Sequence, residues 1–154
     1  MTDVPDLALA RKVLAAQPFS ALLGARLVSF GEGVATLELD VRDELRQQNG
    51  FVHGGVLAYA ADNSLTFAAG TVAGARLLTS GFAIDYLRPA RGVLLRARAE
   101  VVRAGRSRVV CRCDLSAVDE EGTETLCAVA QGTIAVPEPV AESVPVPVAD
   151  PEPK

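Results

Sequence analysis

Residues Gly54 to Ala69 read GGVLAYAADNSLTFAA, a run with no proline and mostly good helix formers. As a helix it would be about 24 Å long, and it is apolar on almost every side. A helix without a solvent face has to be enclosed, so the sequence around this run must build a wall for it. No other stretch of the chain constrains the architecture as tightly.

The wall is legible on both sides of the helix. Val34 to Val41 alternates, with Ala35, Leu37, Leu39 and Val41 on one side and Thr36, Glu38 and Asp40 on the other, which is the period of a strand. Ala25 to Phe30 precedes it across Gly31-Glu32-Gly33, predicting a β-hairpin. Beyond residue 76 come four more strand-like runs, Leu77–Leu87, Val93–Arg103, Arg106–Val118 and Thr123–Val136. Their joints, Pro89-Ala90-Arg91-Gly92, Ala104-Gly105 and Asp119-Glu120-Glu121-Gly122, have turn chemistry. Short joints predict antiparallel neighbours, hence a four-strand meander. The expected fold class is α+β, a long central helix wrapped by a curved antiparallel β-sheet of about six strands.

At 154 residues the chain has the size of one domain, and no internal repeat divides it. Asp6 predicts the N-cap of a short helix over Leu7 to Ala16, with Leu7, Ala10, Val13 and Leu14 on its buried face and Pro18 ending it. The last eighteen residues, Pro137 to Lys154, hold six of the nine prolines and four acids without periodicity, predicting a disordered acidic tail. The expected division is residues 1–18 as helical lead-in, 19–136 as the folded domain and 137–154 as tail. No apolar run reaches the ~18 residues of a membrane span, and the opening MTDVPD is acidic where a signal peptide is basic. A cytoplasmic protein without membrane contact is expected.

Several chemistries lack their residues. The chain has one histidine, no GxSxG elbow and no GxxxxGK[ST] loop, and Gly31-Glu32-Gly33 lacks the third glycine of a dinucleotide fingerprint. The three cysteines, Cys111, Cys113 and Cys127, show neither CxxC nor Cys/His spacing, so neither a disulfide framework nor a metal site is expected. Cys111 and Cys113 fall on one side of a strand, as small core residues do. The net charge of −4 argues against a nucleic-acid partner. Yet eight of the fifteen basic residues lie between Arg88 and Arg112, against the single acid Glu100. Such a stretch on an acidic protein suits a small polyanion; solvated outer faces of strands would give the same pattern.

What remains is the polar, glycine-bearing loop Gln47-Gln48-Asn49-Gly50-Phe51-Val52-His53-Gly54-Gly55, running into the start of the buried helix. Unpaired N–H groups and a partial positive charge gather at a helix N-terminus and can polarise a carbonyl or hold the oxyanion formed on attack. A tight turn into the helix would use the same two glycines. Asp62 sits two turns further on, in the middle of the apolar run, where an unpaired carboxylate is costly to bury. Tyr59 at i−3 and Thr66 at i+4 place it on one polar stripe. A carboxylate in such a cleft can act as general base or nucleophile; one facing solvent through a gap in the sheet would need no function.

Gln47, then Asn49-Gly50-x-x-His53-Gly54-Gly55, Asp62 nine residues after the histidine, Tyr86-Leu87-Arg88-Pro89 and Gly105-Arg106 resemble the hotdog-fold acyl-CoA thioesterases of the phenylacetate-degradation (PaaI-like) type. The resemblance spans roughly Phe19 to Val136. It implies an acyl-CoA substrate, no metal or redox cofactor, and a homo-oligomer, either a dimer or a homotetramer built as a dimer of dimers. In that family two protomers join their sheets and share active sites across the interface.

Carried over by position, the resemblance implies that the Gly54 N–H polarises the thioester carbonyl and that Asp62, from the opposite protomer, is the catalytic carboxylate. Gln47 would orient thioester and water, Asn49 and Gly55 beside it would bind the substrate, and Thr66 would position water. Thr79 falls at a Ser/Thr position on the following strand, with Ser80 one residue away. Arg106, Ser107 and Arg108 lie where the family grips the CoA nucleotide, and Arg88 is expected near the same rim; guanidinium suits phosphate. His53 shapes the loop in the thioesterases, whereas a hotdog hydratase or dehydratase would use it as a base. The expected function is hydrolysis of an acyl-CoA, aromatic or medium-chain, to acid and CoA. The alternatives are a hotdog enoyl-CoA hydratase or dehydratase and a non-catalytic acyl-CoA-binding module.

Overall fold

In a computed structural model, residues 4–138 are described. Apart from Pro137 and Glu138, the tail expected over 137–154 lies outside them. Helix α1 spans Leu7–Ala15, and the Asp6 carboxylate caps it by accepting the Leu9 N–H at 2.7 Å. Ala10 and Leu14 are buried, but Val13, expected on the same face, stands 40% exposed. Pro18 ends this helix and also starts another, α2 over Pro18–Leu23, which sequence periodicity did not suggest. Proline at a first helical position has no N–H to waste, and Gly24 at φ +73° closes the helix.

The strands are β1 Arg26–Gly31, β2 Val34–Asp40, β3 Leu78–Tyr86, β4 Leu94–Ala104, β5 Arg108–Val118 and β6 Glu124–Ala135, and helix α3 runs Gly54–Ala73. All strand pairs are antiparallel, in one six-stranded sheet of order β1-β2-β4-β5-β6-β3. The sheet closes around α3 through Leu37, Leu39, Leu95, Cys111, Leu115 and Ile134, all buried, and the inner face of α3 presents Leu57, Ala60, Ala61, Leu65 and Ala68 to them. This is the helix wrapped by sheet that the apolar run requires. The helix extends to Ala73, one turn beyond the expected Ala69.

The four-strand meander is corrected: β3 lies beside β6 at the far edge of the sheet and does not touch β4. Its joint to β4 crosses the ends of β6 and β5, with the Leu87 N–H donating to Cys127 O at 2.8 Å and the Val93 N–H to Val118 O at 2.9 Å. Crossing three inter-strand gaps takes about 14 Å, within reach of a short extended segment. Gly92 permits the passage, since a Cβ there would stand 2.4 Å from the Val118 carbonyl oxygen. Turn residues announce a change of direction but not how far the chain travels before pairing again.

Candidate active site

The sheet leaves one face of α3 open, and along it lie Ala58, Tyr59, Asp62, Asn63 and Thr66, all half-buried. They line a cleft of about 470 Å³ whose opposite wall is Phe19 and Ser20 of α2 together with Leu78, Thr79 and Phe82 of β3. Asp62 points into it. Its Oδ1 accepts a 2.5 Å hydrogen bond from the Thr79 hydroxyl, and Thr79 Oγ1 lies 3.0 Å from Thr66 Oγ1. Thr66 also donates to the Asp62 backbone carbonyl at 3.1 Å. The bulge between Thr79 and Gly81 turns Thr79 toward the helix, while Ser80 is exposed.

Tyr59 shares the stripe but not the cluster. Its hydroxyl donates to Ser20 Oγ at 2.6 Å and accepts from Asn63 Nδ2 at 2.9 Å. Ser20, only 1% exposed, donates in turn to Gln17 Oε1 at 2.6 Å. Burial, the largest influence, pushes the Tyr59 phenol above its usual value. This network pins α2 onto α3 beside Asp62. Gln17, Ser20 and Asn63 carry no motif, and only the unexplained polarity of Asn63 in an apolar helix could have signalled it.

At the helix start, His53 is the N-cap and its Nδ1 accepts the Gly55 N–H at 2.9 Å. The Nδ1 lone pair is thereby occupied, which places the proton of the neutral ring on Nε2. Among the described residues, the Gly54 N–H donates to no protein acceptor. The Tyr86 hydroxyl donates to the Gly54 carbonyl at 2.8 Å. Within the motif Tyr86-Leu87-Arg88-Pro89, Tyr86 thereby ties the end of β3 to the start of α3. Gln47 organises the preceding loop: its N–H donates to Phe51 O at 2.8 Å and its side-chain Oε1 accepts from the N–H of Asn49. Asn49 itself is exposed.

Known proteins resemble this chain in sequence and in fold. The sequence profile of the thioesterase superfamily matches residues 49–124. A 1,4-dihydroxy-2-naphthoyl-CoA hydrolase of Listeria monocytogenes is 29% identical over 116 residues, covering 74% of this chain and 91% of that one. The crystal structure of a thioesterase family protein from Silicibacter pomeroyi superposes with a TM-score of 0.77 at 33% identity, covering 81% of this chain and 93% of that one. The chain belongs to the thioesterase superfamily. The E. coli PaaI protein, at 23% identity, TM-score 0.72 and coverage of 84% and 91%, shares the hotdog fold. Thioester hydrolysis is thus the chemistry for which the cleft is to be read.

The arginines of this thioesterase do not form the single basic patch that their clustering in sequence suggests. Arg96 bridges Glu38, at 2.7 Å, and Glu124 on the outer face of the sheet. Arg112 pairs with Glu100 at 2.5 Å, and Arg91 stacks over the Phe51 ring at 4.4 Å. Antiparallel pairing sets acids from other strands beside these arginines. Arg106 and Ser107 lie in the β4–β5 turn and only Arg108 is in the strand, so the strand expected from Arg106 begins two residues later. Arg88 is not on their rim either. The register Arg108↔Ala135↔Leu78 puts the turn beside the start of β3, whereas Arg88 follows its end. Within one protomer these sites stand about 27 Å apart along the sheet.

Proposed function

We propose that this thioesterase hydrolyses acyl-CoA, with Asp62 as its catalytic carboxylate and the Gly54 N–H as the donor to the thioester oxygen, each supplied by a different protomer. One observation carries this reading. Asp62 and Gly54 are eight positions apart on a continuous helix, about 12 Å, so a single carbonyl cannot touch both within one chain. A two-fold pairing of the free β3 edges brings them together: the Thr79 end of one antiparallel strand meets the Tyr86 end of the other. Arg88 of one protomer would then approach the Arg106–Arg108 turn of its partner, restoring a common rim for the nucleotide. The exposed Leu78 and Tyr86 on this edge are the apolar surface such a pairing covers.

In this mechanism the thioester oxygen accepts from the Gly54 N–H, where the helix dipole favours developing negative charge. Asp62 keeps Oδ1 on Thr79 and turns Oδ2 to the substrate. That oxygen either takes a proton from the attacking water or attacks the carbonyl itself to form an acyl–Asp62 anhydride that water then hydrolyses to the acid. In both routes the carbon–sulfur bond breaks as CoA thiolate leaves and is protonated. The engaged Nδ1 of His53 favours thioester hydrolysis over a hydratase that needs a free imidazole base. Thiol release from a panel of acyl-CoAs tests the reading, with single turnover in ¹⁸O-water separating the two routes. Label found in Asp62 marks nucleophilic attack, and label found only in the acid, with no anhydride trapped by hydroxylamine, marks activated water. Water added across an enoyl-CoA without thiol release would establish the hydratase instead.

A further inference from the structure

Thr66 does more than border the carboxylate cleft. It also lines a second, smaller cavity of about 120 Å³, beneath α1 and along the last turns of α3, walled by Ala10, Val13, Phe30, Phe67 and Gly70. Gln17 and Leu77 likewise border both. Asp62, Thr66 and Gly70 are spaced i, i+4, i+8 and form one stripe, so a carbonyl bound at Asp62 has this cavity next along the helix. We infer that the cavity holds the acyl group of the substrate, that the group is an uncharged hydrocarbon of roughly one ring's bulk, and that Gly70 and Val13 set the size admitted. This rests on the acyl-CoA reading above.

Three observations support it. The side-chain polar atoms of the lining belong to Gln17 and Thr66, at the end nearer Asp62, and the remainder is aliphatic or aromatic. A charged or strongly polar acyl end would find no charged side-chain partner in this lining. The volume is of the order of the ~150 Å³ apolar cavity that accepts a benzene ring, so a phenyl group or a chain of similar bulk fits and a fused pair of rings does not. Phe30 and Phe67 meet edge to face at 6.3 Å, forming a wall suited to ring or alkyl contact.

Gly70 is the third. A Cβ placed there would meet Phe30 Cε2 at 3.7 Å and Leu77 Cδ1 at 3.9 Å, ordinary contact distances. Alanine therefore fits, and inside a helix it is the better residue. Neither packing nor backbone conformation calls for glycine at this position. What a methyl group would take away is room beside Thr66 and Phe30, in the path of the acyl chain. Val13, partly exposed on α1, faces the same space and can be enlarged without disturbing the core.

The test measures kcat/KM for acetyl-, hexanoyl-, phenylacetyl- and 2-naphthoyl-CoA in the full-length protein, Gly70→Ala and Val13→Phe. In the unaltered enzyme, hexanoyl or phenylacetyl is expected to be the preferred group. Gly70→Ala is expected to lower the hexanoyl-to-acetyl and phenylacetyl-to-acetyl ratios by about tenfold, the effect of one added methyl-sized group in a hydrophobic pocket, and Val13→Phe, which adds a ring, to lower them at least as much. Ratios that stay unchanged in both variants, or a preference for naphthoyl-CoA in the unaltered enzyme, would overturn the assignment of the cavity. If the unaltered enzyme releases thiol from none of these substrates, the acyl-CoA reading itself falls.

Discussion

Thr79 on β3 donates its hydroxyl to Oδ1 of Asp62 on α3 across 2.5 Å, so an edge strand of the sheet is tied directly to the carboxylate on the open face of the helix. With one oxygen held, the other is presented to the cleft in a fixed orientation. Asp62→Asn keeps the shape and removes the charge, and is expected to lower kcat by at least ~100-fold with the oligomer unchanged on gel filtration. Thr79→Val removes a hydrogen bond to a charged group and is expected to cost roughly tenfold in kcat, with Thr79→Ser restoring most of the loss. Near-normal turnover in Asp62→Asn would refute the mechanism.

The His53 ring caps the helix, its Nδ1 taking the Gly55 N–H. His53→Ala should lower unfolding stability by about 1 kcal/mol, the usual loss for an N-cap, and reduce kcat less than Asp62→Asn does. His53→Asn, which keeps a capping acceptor, should recover stability in a urea melt. The opposite order of activities would point to a catalytic imidazole.

Contacts to the nucleotide are made alike in ground and transition states, so removing them raises KM and spares kcat. Arg106→Ala and Arg108→Ala are expected to behave in this way with acyl-CoA. Acyl-pantetheine, lacking the nucleotide, should be indifferent to both, and added salt should weaken acyl-CoA binding in the same sense. Arg88→Ala is expected to match them, although Arg88 is remote within the chain, because the partner's turn would complete the same rim. An effect of Arg88→Ala on neither substrate would separate it from the nucleotide site.

Burial holds the Cys111 thiol at about 11 and pushes Cys113 up to about 12. A raised pKa means the thiolate is the disfavoured form, so at pH 8 both remain protonated as well as covered. Cys127 is equally inaccessible. A disulfide reagent is expected to titrate no thiol in the folded protein and all three cysteines in denaturant. Rapid labelling of the folded protein would show that the sheet opens around β5 or β6.

Much of the fold was readable in the sequence because it depends on local spacing. The apolar run from Gly54 demands enclosure, the alternation of Ala35, Leu37 and Leu39 gives a strand with one buried face, and all three residues are fully covered. The glycines of the loop and the position of Asp62 along the helix are likewise features of one short stretch each. Their likeness to a known motif pointed to thioester chemistry before any contact was visible.

The tertiary structure decided what lies between distant parts of the chain. Sequence could not show that β3 leaves β4 for β6, because a glycine-proline joint reads the same whether it closes a hairpin or crosses two strands. Nor could it show that Ser20, Gln17 and Asn63 form one half-buried network, since their hydrogen bonds join residues about forty positions apart. It set Arg96 and Arg112 among a run of positive charge, and only strand pairing revealed the acids that neutralise them. Periodicity reports which face of an element is buried; what covers that face is settled by chain crossings and side-chain packing that only the folded molecule brings together.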